Sequence, residues 1–140
     1  MKNNVMIKFV TVQTTEDNES DTLEINARGT FEKTDGGYVI KYDELDEEMQ
    51  GCTTVVSVES SERVTITRTG SYNSQFVIEE NKRHSCHYDT PAGSLLMGVF
   101  ANKVLVQLNE NGGRVKMIYT IDFNSSMVAK NTVTLTVKKI

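Results

Sequence analysis

The sequence predicts an all-β protein: a single antiparallel, mostly up-and-down β-barrel of about eight to ten strands. Three observations predict it: apolar residues recur with a period of two, turn residues interrupt the runs, and the runs are rich in Thr, Val, Ile, Tyr and Phe. A period of two gives each strand one apolar and one polar face, and these residue types fit a half-buried pleated surface. The length of 140 residues suits one domain, so we expect the barrel to span residues 1–140.

Strand-like runs follow one another along the whole chain. The alternation is clearest over residues 114–123, where Ile118 is the one apolar residue out of phase. The predicted strands are 4–13, 22–34, 37–45, 52–58, 63–69, 73–80, 83–89, 94–100, 103–109, 114–123 and 127–138. Because the connections are short, neighbours in sequence should be neighbours in the sheet, and closure of the barrel removes exposed edges.

Glycine-containing turns separate the predicted strands. The sequences Asp-Gly-Gly at 35–37 and Asn-Gly-Gly at 111–113 are typical of tight hairpins, because glycine accepts a positive φ. The acidic stretch 42–50 is the sole helical candidate, and its helical period is poor. It lacks the ligand spacing and the glycine of an EF-hand loop, so we interpret its acids as a solvated loop.

Composition excludes several functional classes. A net charge of −4 and a pI near 5.2 disfavour binding to a phosphate backbone, which needs clustered Lys and Arg. No apolar run approaches the roughly 20 residues of a membrane helix, and the start does not resemble a signal peptide. Two cysteines are too few for a disulfide framework. We therefore expect a cytoplasmic protein with free thiols and without nucleic-acid or membrane partners.

Four side chains near predicted strand ends are candidates for a ligand site. Arg68 is in phase with the apolar face of 63–69, so its guanidinium would point into the barrel and need an acid or an anionic ligand. Alternatively, it lies at the rim and reaches water. Glu44 continues the face of Tyr42 and is the matching acid for an ion pair with Arg68. Tyr42 and Tyr119 would point inward, either as hydrogen-bonding ligand contacts or as core aromatics.

The segment 83–88 contains the only compact group of metal-type ligands. In a strand, His84 and Cys86 would share one face while His87 points to the other. Two ligands are too few for a zinc site, and a cysteine nucleophile would need a base in contact and a third, orienting residue. No phosphate-binding glycine loop or dinucleotide fingerprint is present in the sequence. We predict no metal and no cofactor, and we do not favour an enzyme.

Several segments in combination resemble one known family. They are GYVIKYDE at 37–44, VTITRTG at 64–70 and YDTPAG at 88–93, with the hairpin at 111–113 and the following Tyr119. Together they resemble the YwiB-like family of uncharacterised bacterial proteins, chiefly from Firmicutes, over nearly the whole chain. The resemblance implies a calycin-like β-barrel, similar to lipocalins and fatty-acid-binding proteins. It supplies no catalytic residues.

Two function hypotheses remain open. In the first, the barrel interior binds a small apolar or amphipathic ligand, with Arg68 near an anionic group of that ligand. In the alternative, the barrel is filled and acts through its outer surface, as a homodimer or a partner-binding scaffold without a ligand. The alternative is based on residues 104–108, which are apolar on both faces and would need a second cover.

Overall fold

A computed structural model describes residues 2–15, 17–43, 51–70, 73–90, 93–123 and 126–140. Within these ranges the chain forms ten strands and no helix, so none of the described residues belongs to a helix that could cross a bilayer. The strands are β1 (Lys2–Thr15), β2 (Ser20–Lys33), β3 (Tyr38–Asp43), β4 (Thr53–Val58), β5 (Arg63–Thr69), β6 (Ser74–Glu79), β7 (Arg83–Thr90), β8 (Gly93–Asn109), β9 (Gly112–Phe123) and β10 (Ser126–Lys139).

The ten strands form one closed, up-and-down barrel. Each strand pairs antiparallel with its neighbours in sequence, and β1 closes the barrel by pairing with β10 from Val5↔Lys139 to Thr15↔Ala129. The predicted fold class is confirmed. We call the end where β2–β3, β4–β5, β6–β7 and β8–β9 connect the lower end. The upper end is where β1–β2, β3–β4, β5–β6, β7–β8 and β9–β10 connect.

Two features differ from the predicted elements. The predicted strands 94–100 and 103–109 are one long strand, β8, interrupted by a register shift between Ala101 and Lys103. The extra residue there lets Ala101 and Val104 both lie buried against the interior, which local alternation does not predict. The helical candidate at 42–50 begins inside β3, and its residues 44–50 lie outside the described ranges.

Both glycine turns lie at the lower end, and the predicted positive φ occurs at 112–113 but not at 36–37. Gly112 and Gly113 have φ values of 109° and 137°, a backbone region that side chains other than glycine rarely enter. In the β2–β3 turn the Thr34 N–H donates to the Gly37 carbonyl at 2.9 Å. These tight connections hold neighbouring strands in fixed register at the lower end.

The lower and middle parts of the barrel are filled by its own side chains. The fully buried inward residues include Val5, Ile40, Val56, Val64 and Leu135. At the lower end the ring of Phe31 stacks on Tyr38, with centroids 5.3 Å apart, and the Tyr38 hydroxyl donates to the Leu108 carbonyl at 3.3 Å. These contacts pack the lower end on the side of β2, β3 and β8.

The wall between β6 and β7 has the shortest ladder in the described barrel. Its two register pairs, Ser74↔Tyr88 and Gln75↔His87, lie near the upper end. Further down, the Val77 N–H donates to the Cys86 sulfur at 3.4 Å instead of to a carbonyl. Burial raises the pKa of the Cys86 thiol, so the thiol stays neutral where it lies between β6 and β7.

Candidate functional site

The upper end of the barrel contains a cavity of about 430 Å³, which we call the upper cavity. Strands β1, β6, β7, β8, β9 and β10 line it. Its apolar wall includes Phe76, Leu95, Met97, Ile121 and Phe123. Its polar part includes Gln13, Tyr119 and Asn131. An apolar wall with a few converging polar groups is the usual form of a small-molecule site.

The cavity lies where the inward apolar side chains become less buried toward the upper end of the barrel. On β8, Val99 is fully buried, Met97 is 8% exposed and Leu95 is 41% exposed, although all three face inward. On β9, Met117 is fully buried, whereas Ile121 is only half-buried. Above this level the inward apolar side chains are only partly buried, and they line the open space of the cavity.

A row of polar side chains crosses three strands inside the cavity. Gln13 on β1 pairs in register with Asn131 on β10, which pairs with Tyr119 on β9. The Gln13 Nε2 group donates to Asn131 Oδ1 at 3.0 Å. Asn131 is 2% exposed and Tyr119 is 8% exposed, whereas Gln13 is exposed. The row forms a hydrogen-bonding floor under apolar walls.

The Tyr119 hydroxyl is a neutral donor in this setting. Burial raises the pKa of Tyr119 to about 12, because the phenolate would lose its hydration. Within the described part of the chain, no hydrogen-bond partner of this hydroxyl is present. At physiological pH, Tyr119 can therefore donate a hydrogen bond to a molecule in the cavity.

The raised pKa predicts a specific alkaline destabilisation. Between pH 10 and about pH 12 the unfolded chain releases the Tyr119 proton while the folded barrel keeps it, so stability falls as pH rises through this window. We expect the stability of the wild type to fall by about 2–3 kcal/mol more than that of Tyr119→Phe across this window. Urea unfolding of both proteins below pH 10 and near pH 12 measures this difference. An equal loss in both proteins would contradict the buried position of Tyr119.

The upper cavity has no charged side chain among its described lining residues. A charged group moved from water into such a site loses hydration without gaining an opposite charge. The electrostatic character of the cavity is therefore that of an apolar pocket with hydrogen-bonding groups.

The structure describes three of the four predicted site residues and places them in different surroundings. Tyr119 lines the upper cavity. Tyr42 is buried on β3, with its ring 5.9 Å from that of Phe9. Arg68 is half-buried on the inward phase of β5, and it too lies at the upper end but not in the cavity lining. Glu44 lies outside the described residues.

The surroundings of Arg68 are polar. Its register partners, Thr54 on β4 and Ser74 on β6, are both buried, and Arg68 itself has an interaction partner within the chain. This strip of β4, β5 and β6 brings a guanidinium and two hydroxyls to one side of the upper end.

Sequence reasoning missed Asn131 and Gln13 as site residues. Asn131 continues the inward face of Val133 and Leu135, so the in-phase criterion that selected Arg68 also applies to it. Gln13 has the same relation to the inward face of β1. The apolar lining residues carried no comparable signal, because they resemble any core residue.

The group at 83–88 has structural contacts. His84 Nε2 lies 2.9 Å from Glu79 Oε1, while the Cys86 thiol faces the His84 carbonyl at 3.8 Å. The imidazole and the thiol are thus engaged with other groups. Across the described ranges, no three side chains of His, Cys, Asp or Glu form a group that could hold a metal ion.

Comparisons with known proteins agree with this architecture. A family model described as a domain of unknown function, DUF1934, matches residues 7–135. No curated protein matches the chain. The crystal structure of the YwiB protein from Bacillus subtilis superposes with a TM-score of 0.87 at 16% identity, covering 99% of this chain and 93% of that one. At that identity the match shows a shared fold. The chain belongs to the DUF1934 family, and its resemblance to the YwiB-like family is confirmed.

Proposed function

We propose that this protein is a calycin-like binding module that holds one small apolar or amphipathic molecule in the upper cavity. One observation carries the proposal. Above Met97 and Tyr119 the inward apolar side chains are only partly buried, and they line a cavity of about 430 Å³. Pockets for small molecules are typically about 300–1,000 Å³. A bound molecule would cover apolar side chains that otherwise contact water.

Tyr119 is the principal anchor in this proposal. It is the one predicted site residue in the cavity lining, and its neutral hydroxyl has its hydrogen available. Arg68 and Tyr42, at the same end on β5 and β3, are proposed as contacts for a ligand long enough to cross the barrel. Glu44 stays a predicted partner of Arg68.

A cytoplasmic location belongs to the same proposal. Cys52 and Cys86 are both buried and no disulfide joins them, which suits a reducing compartment. The ligand would then be a metabolite or lipid-like molecule present inside the cell.

Native mass spectrometry of protein purified from its own host tests the proposal. We expect an adduct of constant mass at one copy per chain, which organic extraction removes and identifies. The adduct should weaken more in Tyr119→Phe than in Arg68→Ala if Tyr119 is the principal anchor. A bare spectrum dominated by a dimeric mass would contradict the proposal and favour the alternative of a surface-acting homodimer. In that alternative, the exposed, outward-facing Leu96 and Leu105 of β8 would be buried between two copies.

A further inference from the structure

We infer that the buried end of the ligand carries an uncharged hydrogen-bond acceptor, such as the carbonyl of an amide, ketone or ester. The inference rests on the proposed function and narrows it to a ligand class. It differs from the expectation of an anionic group beside Arg68, and the two expectations give opposite results in one experiment.

The first step is that Asn131 and Tyr119 present hydrogen-bond donors to the cavity. Gln13 donates to the side-chain oxygen of Asn131, so the Asn131 amide presents its NH₂ group as the free end. Neither this NH₂ group nor the Tyr119 hydroxyl has a hydrogen-bond partner in the described part of the chain. Neither atom is among the buried unpartnered atoms of the described residues, so both donors open onto the cavity, where an acceptor on a ligand can replace water.

The second step is the distance between the two donors. Asn131 and Tyr119 are register partners on β10 and β9, and both side chains face the interior. Cβ atoms of directly paired residues lie about 4.5–5.5 Å apart. Both donors thus come from neighbouring strands into the same cavity, and we infer that the acceptor of the ligand lies between them.

The third step concerns a ligand carboxylate. The described lining contains no cation, and Arg68, which lies outside that lining, already has an interaction partner within the chain. A ligand carboxylate beside Tyr119 would lose its hydration and gain only two hydrogen bonds from neutral donors, which do not compensate for that loss. Asp17, Glu19 and Asp21, exposed at the upper end, add a negative potential that opposes the entry of anions.

The fourth step concerns a ligand ammonium group. The Asn131 oxygen accepts from Gln13 and keeps one lone pair, but one neutral amide oxygen does not replace the hydration that an ammonium group loses. No carboxylate occurs among the described lining residues. A cation is thus also disfavoured at the floor, which leaves an uncharged acceptor as the best match.

Competition binding with three ligands of equal chain length tests the inference. Decanamide, decanoate and decylammonium compete near neutral pH for the uncharged fluorophore N-phenyl-1-naphthylamine bound to the full chain. We expect decanamide to bind at least about tenfold more tightly than either charged ligand. Tyr119→Phe should reduce the amide preference about fivefold or more, because it removes one donor and keeps the ring. Asn131→Asp should turn the preference toward decylammonium.

The outcomes separate the inference from the proposed function. If decanoate binds as tightly as decanamide and its binding is lost in Arg68→Met, an anion anchored at Arg68 replaces the inference, while the binding function stands. If the fluorophore itself does not bind to the folded protein, the proposed function fails and the inference fails with it. Unchanged amide preference in both Tyr119→Phe and Asn131→Asp would also overturn the inference.

Discussion

Replacing Gly29 by alanine is expected to lower the unfolding free energy of the barrel by about 3 kcal/mol, at the upper end of overpacking effects. Gly29 lies on β2 and pairs with Tyr42 on β3. A Cβ atom there would overlap the Lys41 carbonyl oxygen and lie 2.7 Å from Ile7 Cδ1 and 3.0 Å from Tyr42 Cβ. Because one overlapped atom is backbone, the clash is relieved only if β2 and β3 move apart.

Gly36 offers a matched control for this substitution. A Cβ atom at Gly36, in the β2–β3 turn, would have its nearest neighbour, the Glu59 carbonyl oxygen, 4.0 Å away. We expect Gly36→Ala to change stability by no more than about 0.5 kcal/mol. Denaturant unfolding of both variants measures the difference, and equal stabilities would show that β2 and β3 are not in close contact at Gly29.

Truncations in the two halves of the barrel are expected to differ strongly. Leu135 is fully buried in the filled part, between its register partners Phe9 and Val115. Leu135→Ala removes core volume that neighbours cannot refill, so we expect a loss of about 3–4 kcal/mol. Ile121 borders the upper cavity, so Ile121→Ala enlarges an existing space and should cost only about 1 kcal/mol.

Denaturant midpoints of the two variants, compared at equal m-values, measure this asymmetry. Similar losses in both variants would mean that the upper cavity is packed in solution. That result would support the filled-barrel alternative, because a ligand would have no space to enter.

Local alternation was enough to predict most of the barrel. The runs in β5, β9 and β10 have one apolar and one polar face. The observed bounds of β5 equal the predicted ones, and those of β9 and β10 differ by at most two residues. The merging of two predicted strands into β8 was not predictable in this way. A β-bulge inserts one residue without changing composition, so it looks like a break in the period.

The site was less predictable than the fold, for a physical reason. Whether a barrel has a cavity depends on which side chains of several strands lie at the same level. That level depends on register across the whole barrel, including the shifts at 101/103 and 127/129. Tyr119 was found because an inward polar group stands out from an apolar run. Phe76 and Ile121, which also line the cavity, have the same sequence pattern as core residues. They are distinguished from core residues only by the open space that they face.

The position of Arg68 agrees with part of its prediction. It does lie on the inward phase of β5 near the opening, as its position predicted. Its distance from the upper cavity depends on the packing around Thr54 and Ser74, which the period of β5 does not encode.

The most direct test of the central claim is to fill the upper cavity and measure binding. Ile121→Trp places an indole inside the cavity, while Thr120→Trp adds the same group one residue earlier on the outward phase of β9. Fluorescence titration with N-phenyl-1-naphthylamine should show binding to the wild type and to Thr120→Trp, and little or none to Ile121→Trp. Equal binding by both tryptophan variants would place the ligand outside the barrel and contradict the proposed function.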